Sequence, residues 1–222
     1  MDKSHSANAQ EYRMEPTPYL FTESQHRYLV WKRVLDVAIS LIALVLLAPI
    51  MLLIAVVIKL SSPKHPVLFK QFRIGRGYHV FCIYKFRTMH TNAPKNIAKG
   101  ELDNADKMIT KLGKFLRRFS LDELPQLFNV LKGDMSLIGP RPLVYTERQI
   151  RTMRKEHHVY AIRPGITGIA QINGRDQVSV SEKVRMDAEY VRYVGLALDT
   201  EIFFRTFSAV LLHKGVAEGR QN

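Results

Sequence analysis

Residues 37 to 58, VAISLIALVLLAPIMLLIAVVI, decide the fold. These 22 positions carry no charge, and Ser40 is the one polar side chain among them. As a helix the run reaches ~33 Å, enough for a ~30 Å hydrocarbon core. A buried core helix rarely stays apolar on every face for six turns, so the run reads as a membrane segment. It starts late, is long, and leads into KLSSPKHP without a small-x-small cleavage site, which argues against a cleavable signal peptide.

Pro49 stands near the middle of the run. It removes the hydrogen bond to the Val45 carbonyl and clashes with it, so the helix is expected to kink or break there. Both flanks are basic, with Arg27, Lys32 and Arg33 before the run and Lys59, Lys64, Lys70, Arg73 and Arg76 after it. Positive flanks stay in the cytoplasm. A helix that enters, turns at Pro49 and returns keeps both there, which favours a re-entrant hairpin. A kinked spanning helix with its short tail outside is the alternative that charge and proline leave open.

Outward from that run, 222 residues allow one domain, or one domain plus a short appendage. Lys and Arg number 33 against 20 Asp and Glu, a formal charge of +13. That excess points to polyanionic partners: nucleic acid, anionic headgroups or phosphorylated substrates. Hydrophobic residues at 46% exclude global disorder, and the single cysteine, Cys82, excludes an internal disulfide and a multi-cysteine zinc site. Residues 1–30 read as a polar, loosely ordered tail, 31–60 as the membrane helix, 61–215 as the cytoplasmic domain and 216–222 as a C-terminal tail.

Between residues 59 and 100 there are nine Lys or Arg and no Asp or Glu. Within this basic segment PVLFKQFRI and YHVFCIYKFRT read as two strands joined across Gly75-Arg76-Gly77. Alternation places Lys85 and Arg87 on one face of the second strand. Residues 105–118 read as a basic helix, and a second follows with Leu124, Leu127, Phe128 and Leu131 at helical spacing and Gly133 as its stop. A rigid GPRPL (139–143) precedes a charged helix over about 145–157, and RPGITGIAQINGRD (163–176) reads as loop. The last helix, 199–215, has Asp199 as its cap; its Phe203, Phe204 and Phe207 suit either a lipid interface or a core.

Asp122 and Glu123 form an acidic pair in a chain short of acids. Ser120-Leu-Asp-Glu matches a capping box, but Pro125 opposes that register and leaves Asp122 as the simpler cap. The functional alternative is a carboxylate pair in a basic cleft, one a nucleophile or base and the other a magnesium ligand. Arg141, Arg163 and Arg175 suit phosphate oxygens, because guanidinium binds them in a bidentate way. There is no G-x-x-x-x-G-K-[ST] loop, no G-x-G-x-x-G and no H-E-x-x-H.

KRVLDV, the proline-centred apolar run, YKFRTM, SLDELPQLFNVLKGDMSLIGPRP and RPGITGIAQINGRD occur in the order found in bacterial sugar transferases. The chain resembles the small monotopic polyprenol-phosphate phosphoglycosyl transferases over about residues 31–215. The resemblance implies an α+β, mostly helical monotopic membrane protein. Its parts would be a re-entrant helix broken at Pro49 and a compact cytoplasmic domain with a small β-hairpin and interfacial helices. It implies transfer of a sugar-1-phosphate from a UDP-sugar to undecaprenyl phosphate at the inner membrane, with release of UMP. Asp122 would be the nucleophile, Glu123 a Mg2+ ligand, and Lys85, Arg141 and Arg175 would lie near phosphates; Arg87 and Arg163 extend that set. Membrane lipids and downstream glycosyltransferases are implied partners, and nucleic acid is not. Relatives often carry Ser-Pro where this chain has Ala48-Pro49, and larger ones carry an extra membrane bundle and soluble domain, so this chain is expected to be the minimal enzyme. The rival reading is a non-catalytic anchored protein whose charge binds anionic lipid or nucleic acid.

Overall fold

The computed structural model describes residues 19–90, 93, 105–173 and 178–211. Helix α1 (Glu23–Ser61) is 39 residues long and contains Pro49 without interruption. The proline forfeits one hydrogen bond, yet the helical run continues past it. α1 also starts earlier than the expected residue 31. Thr22 Oγ1 accepts from Gln25 N (3.2 Å) while Thr22 N donates to Gln25 Oε1 (3.0 Å), a reciprocal cap. Tyr19, Phe21, Tyr28 and Leu29 pack against a core of Ile138, Ile162, Tyr190, Val191, Val194 and Ile202. Residues 19–30 therefore belong to the fold, which corrects the expected loose tail.

The apolar run lies on the surface. Val45, Leu46, Leu52 and Leu53 are 64–70% exposed, and 11% of the most apolar stretch of α1 is buried. A soluble core helix would be mostly covered, so this surface is unpartnered within the described residues. Both ends of the run nevertheless pack on one domain. Before it, Lys32 Nζ donates to Asp199 Oδ2 (2.5 Å), Arg33 to the Val130 and Leu131 carbonyls, and Asp36 Oδ1 accepts from Leu137 N (3.1 Å). At its end, Ile54 and Ile58 are buried with Phe86 and Leu116.

Strands β1 (Leu68–Ile74) and β2 (Val80–Phe86) form the expected antiparallel hairpin, and β4 (Leu143–Val144) adds to the other edge of β1. Two helices follow the hairpin, α2 (Lys111–Arg118) and α3 (Gln126–Lys132). The single helix expected over 105–118 is divided, because Ile109 pairs with Met89 between a 3-10 turn (Ala105–Met108) and α2. β3 (Ser136–Ile138) pairs in parallel with β5 (Gly165–Thr167), so the stretch expected as loop contributes a strand and then α5 (Ile169–Ile172). α4 (Arg148–Glu156), α6 (Val180–Tyr193) and α7 (Leu196–Leu211) complete a mostly helical fold. Asp199 does not cap α7. It is buried in the first turn and accepts from Lys32, Tyr28 and Tyr190. Phe203, Phe204 and Phe207 are 42%, 66% and 57% exposed, so they are surface and not core.

Candidate active site

Asp122 and Glu123 lie in a 3-10 turn (Leu121–Glu123) between α2 and α3. Neither capping register occurs. Ser120 adopts a left-handed backbone (φ 56°) with no side-chain cap bond, and Pro125 occupies the N-cap position of α3. The left-handed residue turns the chain sharply just before the acids, a conformation L residues adopt reluctantly.

Two contacts aim this turn at the hairpin. Asn129 is fully buried; its Oδ1 accepts from Tyr84 N (3.0 Å) and its Nδ2 donates to the Cys82 carbonyl (2.7 Å), tying α3 to β2. α2 approaches the chain just beyond β2 equally closely, since a Cβ added at Gly113 would stand 2.0 Å from the Thr88 carbonyl oxygen. One turn after Gly113, Arg117 Nε donates to Thr88 Oγ1 (2.9 Å). Lys85 Nζ then donates to Glu123 Oε1 at 2.7 Å, and Arg141 Nη2 stands 3.4 Å from the same oxygen.

Asp122 is 8% exposed. Burial, then the Glu123 carboxylate, push its pKa above the ordinary aspartate range, while Lys85, Arg117 and Arg141 pull it back. Burial holds Lys85 below the usual lysine range, and Glu123 opposes that. The result is a sheltered carboxylate with a second beside it and three cations around both. Such a site suits phosphoryl groups, whose oxygens need neutralising as a bond forms at phosphorus.

The Arg141 main chain is clamped from two sides. Arg154 Nη1 donates to the Arg141 carbonyl (2.7 Å) and Arg73 Nη1 to the Pro142 carbonyl (3.0 Å). Arg154 is in turn held by Asp187 Oδ2 (2.5 Å), with both side chains almost wholly buried. Burial, then repulsion from Arg141, lowers Arg73 to about 10.

The other expected residues lie elsewhere. β2 ends at Phe86, yet Arg87 N still pairs with the Val67 carbonyl (2.9 Å), and its guanidinium donates to the Pro66 (2.7 Å) and Ile58 (3.4 Å) carbonyls. Its contacts tie the hairpin to the end of α1. Arg163 Nε donates to the Gly133 carbonyl (2.8 Å), at the far end of α3 from the acids. Arg175 lies outside the described residues. Among the described residues no group of three or more His, Cys, Asp or Glu could hold a metal. Two adjacent carboxylates still match Mg2+, which commonly takes one or two carboxylates and fills its shell with substrate phosphate and water.

Sequence reasoning missed Arg117, Asn129 and the Arg73, Arg154 and Asp187 clamp. Arg117 was visible as a basic residue five positions before Asp122; the buried partners carry no local signal.

The model of the family described as bacterial sugar transferase matches residues 27–213. An Aeromonas hydrophila protein named UDP-N-acetylgalactosamine-undecaprenyl-phosphate N-acetylgalactosaminephosphotransferase is 41% identical over 83% of this chain and 44% of its own length. An undecaprenyl-phosphate glucose phosphotransferase of Komagataeibacter xylinus is 41% identical over 85% of this chain and 38% of its own. An uncharacterized sugar transferase of Bacillus subtilis, EpsL, is 39% identical over 86% of this chain and 92% of its own. The chain thus spans less than half of the first two relatives and nearly all of the third. It belongs to the bacterial sugar transferase family.

Proposed function

We propose that this protein is a phosphoglycosyl transferase that moves a sugar-1-phosphate from a UDP-sugar to undecaprenyl phosphate and begins assembly of a surface glycan. The observation that carries this reading is the buried Asp122 beside Glu123, with Lys85 and Arg141 on the Glu123 carboxylate. Asp122 Oδ attacks the phosphorus that bears the sugar, and the bond to the UMP oxygen breaks. UMP leaves with that electron pair, and the sugar phosphate remains on Asp122 as an acyl phosphate. An oxygen of undecaprenyl phosphate then attacks the same phosphorus, releasing the carboxylate and forming the lipid diphosphate sugar. Lys85, Arg117 and Arg141 neutralise the phosphate oxygens in both steps. Glu123 would help hold Mg2+, which when bound adds positive charge against the diphosphate.

Topology supports the same reading. A helix crossing a ~30 Å core with residues 37–58 would place Asp36 and Ile58 on opposite faces of the membrane. Here Asp36 bonds Leu137 N and Ile58 packs with Phe86 and Leu116 on the same domain, as a re-entrant helix requires. The domain then lies at the cytoplasmic face of the inner membrane, where a soluble nucleotide sugar meets a lipid phosphate. The exposed Phe203, Phe204 and Phe207 would rest in the interface. The product would feed glycosyltransferases that extend it. Relatives named for N-acetylgalactosamine and for glucose match at the same 41% identity, so the donor sugar is to be found by assay.

The test is UMP release by purified protein given undecaprenyl phosphate, Mg2+ and a panel of UDP-sugars. Release should depend on lipid and metal and disappear in Asp122→Asn. Undiminished release by that variant would sink the nucleophile assignment.

A further inference from the structure

A second concentration of positive charge lies away from the acids. A cleft of about 290 Å³ is lined by Arg33 of α1, Arg76 of the hairpin turn and Arg163 of the segment before β5, with Leu29 and Ile162 as apolar wall. It sits at the C-terminal end of α3, where Arg33 Nη1 meets the Val130 carbonyl and Arg163 Nε the Gly133 carbonyl. Ten residues of chain separate Glu123 from Gly133, about 15 Å at helical rise, so this is not the Asp122 centre.

The charge balance in the cleft is uneven. Lys32 is spent on Asp199 at 2.5 Å, and the lining acid, Asp36, accepts from Leu137 N. Arg33 and Arg163 each donate to a carbonyl, which fixes the guanidinium without cancelling its charge. Arg76 is exposed on its turn. Burial, then repulsion from Arg33 and Arg76, holds Arg163 below its usual basicity against the opposing pull of Asp36, as expected where three like charges outnumber the one acid facing them. Folding three arginines from separate elements onto one cleft costs repulsion that an anion would relieve.

The position of the cleft names the class of anion. Arg33 precedes Val37, the first residue of the apolar run, by four positions, or ~6 Å along α1. Trp31, the one tryptophan of the chain, is 67% exposed two residues earlier. Exposed Trp marks the headgroup layer, and basic residues there meet lipid phosphates. We propose that the Arg33, Arg76 and Arg163 cleft is a phosphate-recognition site, separate from the Asp122 centre, that takes the headgroup phosphate of an anionic phospholipid. Guanidinium pairs grip two phosphate oxygens at once, and the apolar wall suits the glycerol end of a lipid better than water.

The experiment uses the full chain in dodecyl maltoside, with phosphatidylglycerol, phosphatidylcholine or inorganic phosphate added. Native mass spectrometry reads the retained adduct and thermal melting reads the stabilisation. Phosphatidylglycerol should be retained and phosphatidylcholine should not. Arg76→Ser and Arg163→Gln should each cut retention about fivefold, while Lys132→Ser, an equal loss of charge outside the cleft, should change it little. Arg163→Gln also loses a bond to Gly133, so Arg76→Ser, on an exposed turn, is the variant that separates binding from folding. Equal retention by Arg76→Ser and the unchanged protein, or equal loss in Lys132→Ser, would overturn the site. Stabilisation by inorganic phosphate alone, lost in the same variants without lipid retention, would overturn the lipid assignment.

Discussion

Lys85 Nζ and Glu123 Oε1 meet at 2.7 Å across 38 positions of sequence, and both side chains are less than one-fifth exposed. The bond joins the end of β2 to the turn that carries Asp122, so one pair both neutralises the second acid and fixes the first. Removing the cation in Lys85→Met leaves Glu123 beside Asp122 with Arg141, 3.4 Å away, as the nearer remaining cation. Turnover should fall about a hundredfold, as when one stabilising donor is lost from a charged transition state. Thermal stability should fall by about 1.5–3 kcal/mol, the worth of a hydrogen bond to a charged group. Steady-state UMP release and thermal melts measure the two effects. Unchanged turnover would remove Lys85 from the reaction.

The Arg154 and Asp187 pair makes a different prediction. Its side chains are 4% and 2% exposed, and Arg154 Nη1 also holds the Arg141 carbonyl. Burial keeps Asp187 above the ordinary carboxylate range even beside its partner. Asp187→Ala should cost about 3–5 kcal/mol, because it leaves a buried guanidinium without its counter-charge. The double variant Arg154→Met with Asp187→Leu should recover most of that stability, since it removes both charges. It should still raise KM for the nucleotide sugar, because the Arg141 carbonyl loses the Arg154 side of its clamp while the Arg73 side remains. Denaturation of the three proteins, with KM for each, checks both halves.

What was legible in the sequence was the chemistry, and what was hidden was its support. Asp122, Glu123, Lys85 and Arg141 stand in motifs whose residue types announce phosphate handling, and the structure brings Lys85, Glu123 and Arg141 together. Alternation describes the backbone at Arg87, which continues the pairing through Val67, but it gives no sign that the Pro66 and Ile58 carbonyls take its guanidinium. Asp199 read as a helix cap from its local position, yet it is a buried acceptor for Lys32, from a residue 167 positions away. The start of α1 was missed because the Thr22 and Gln25 cap sits among polar residues with no apolar periodicity to frame it. Local rules see neighbours within a few residues; burial and long-range ion pairing are set by packing and leave no such trace.

Alkaline pH should weaken the fold through its buried phenols. Burial pushes Tyr160 up to about 12, and Tyr190, fully buried with its hydroxyl donating to Asp199 Oδ1 at 2.6 Å, is pushed well above the usual range. Unfolded tyrosines ionise near pH 10. Between pH 10 and 12 the folded state holds protons that the unfolded state has released, so this stability is complete below pH 10 and falls as pH rises. The slope is about 1.4 kcal/mol per pH unit for each such residue. Melts from pH 9 to 11.5 should show the loss, and Tyr190→Phe should reduce the slope. If all nine tyrosines ionise near pH 10 by absorbance at 295 nm without loss of structure, the buried phenols are misassigned.

The path of α1 through the membrane gives the last prediction. The two flanks of its apolar run pack on one domain through Asp36 and Ile58, so both should face the cytoplasm. Cys82 is the single native cysteine, and burial raises its thiol above the usual range, which slows its reaction. In a Cys82→Ser background, Ser24→Cys and Lys64→Cys place exposed thiols before and after the run. An impermeant maleimide should label neither in intact cells and both after permeabilisation. Pro49→Ala should make the run straighter, since alanine restores the hydrogen bond to the Val45 carbonyl and removes the ring clash. A straight run of 22 residues is long enough to span, so a fraction of Pro49→Ala molecules should expose the Ser24→Cys thiol outside. Labelling of one thiol alone in intact cells without the proline change would mean that α1 crosses the bilayer. The contacts at Asp36 and Ile58 would then not survive insertion.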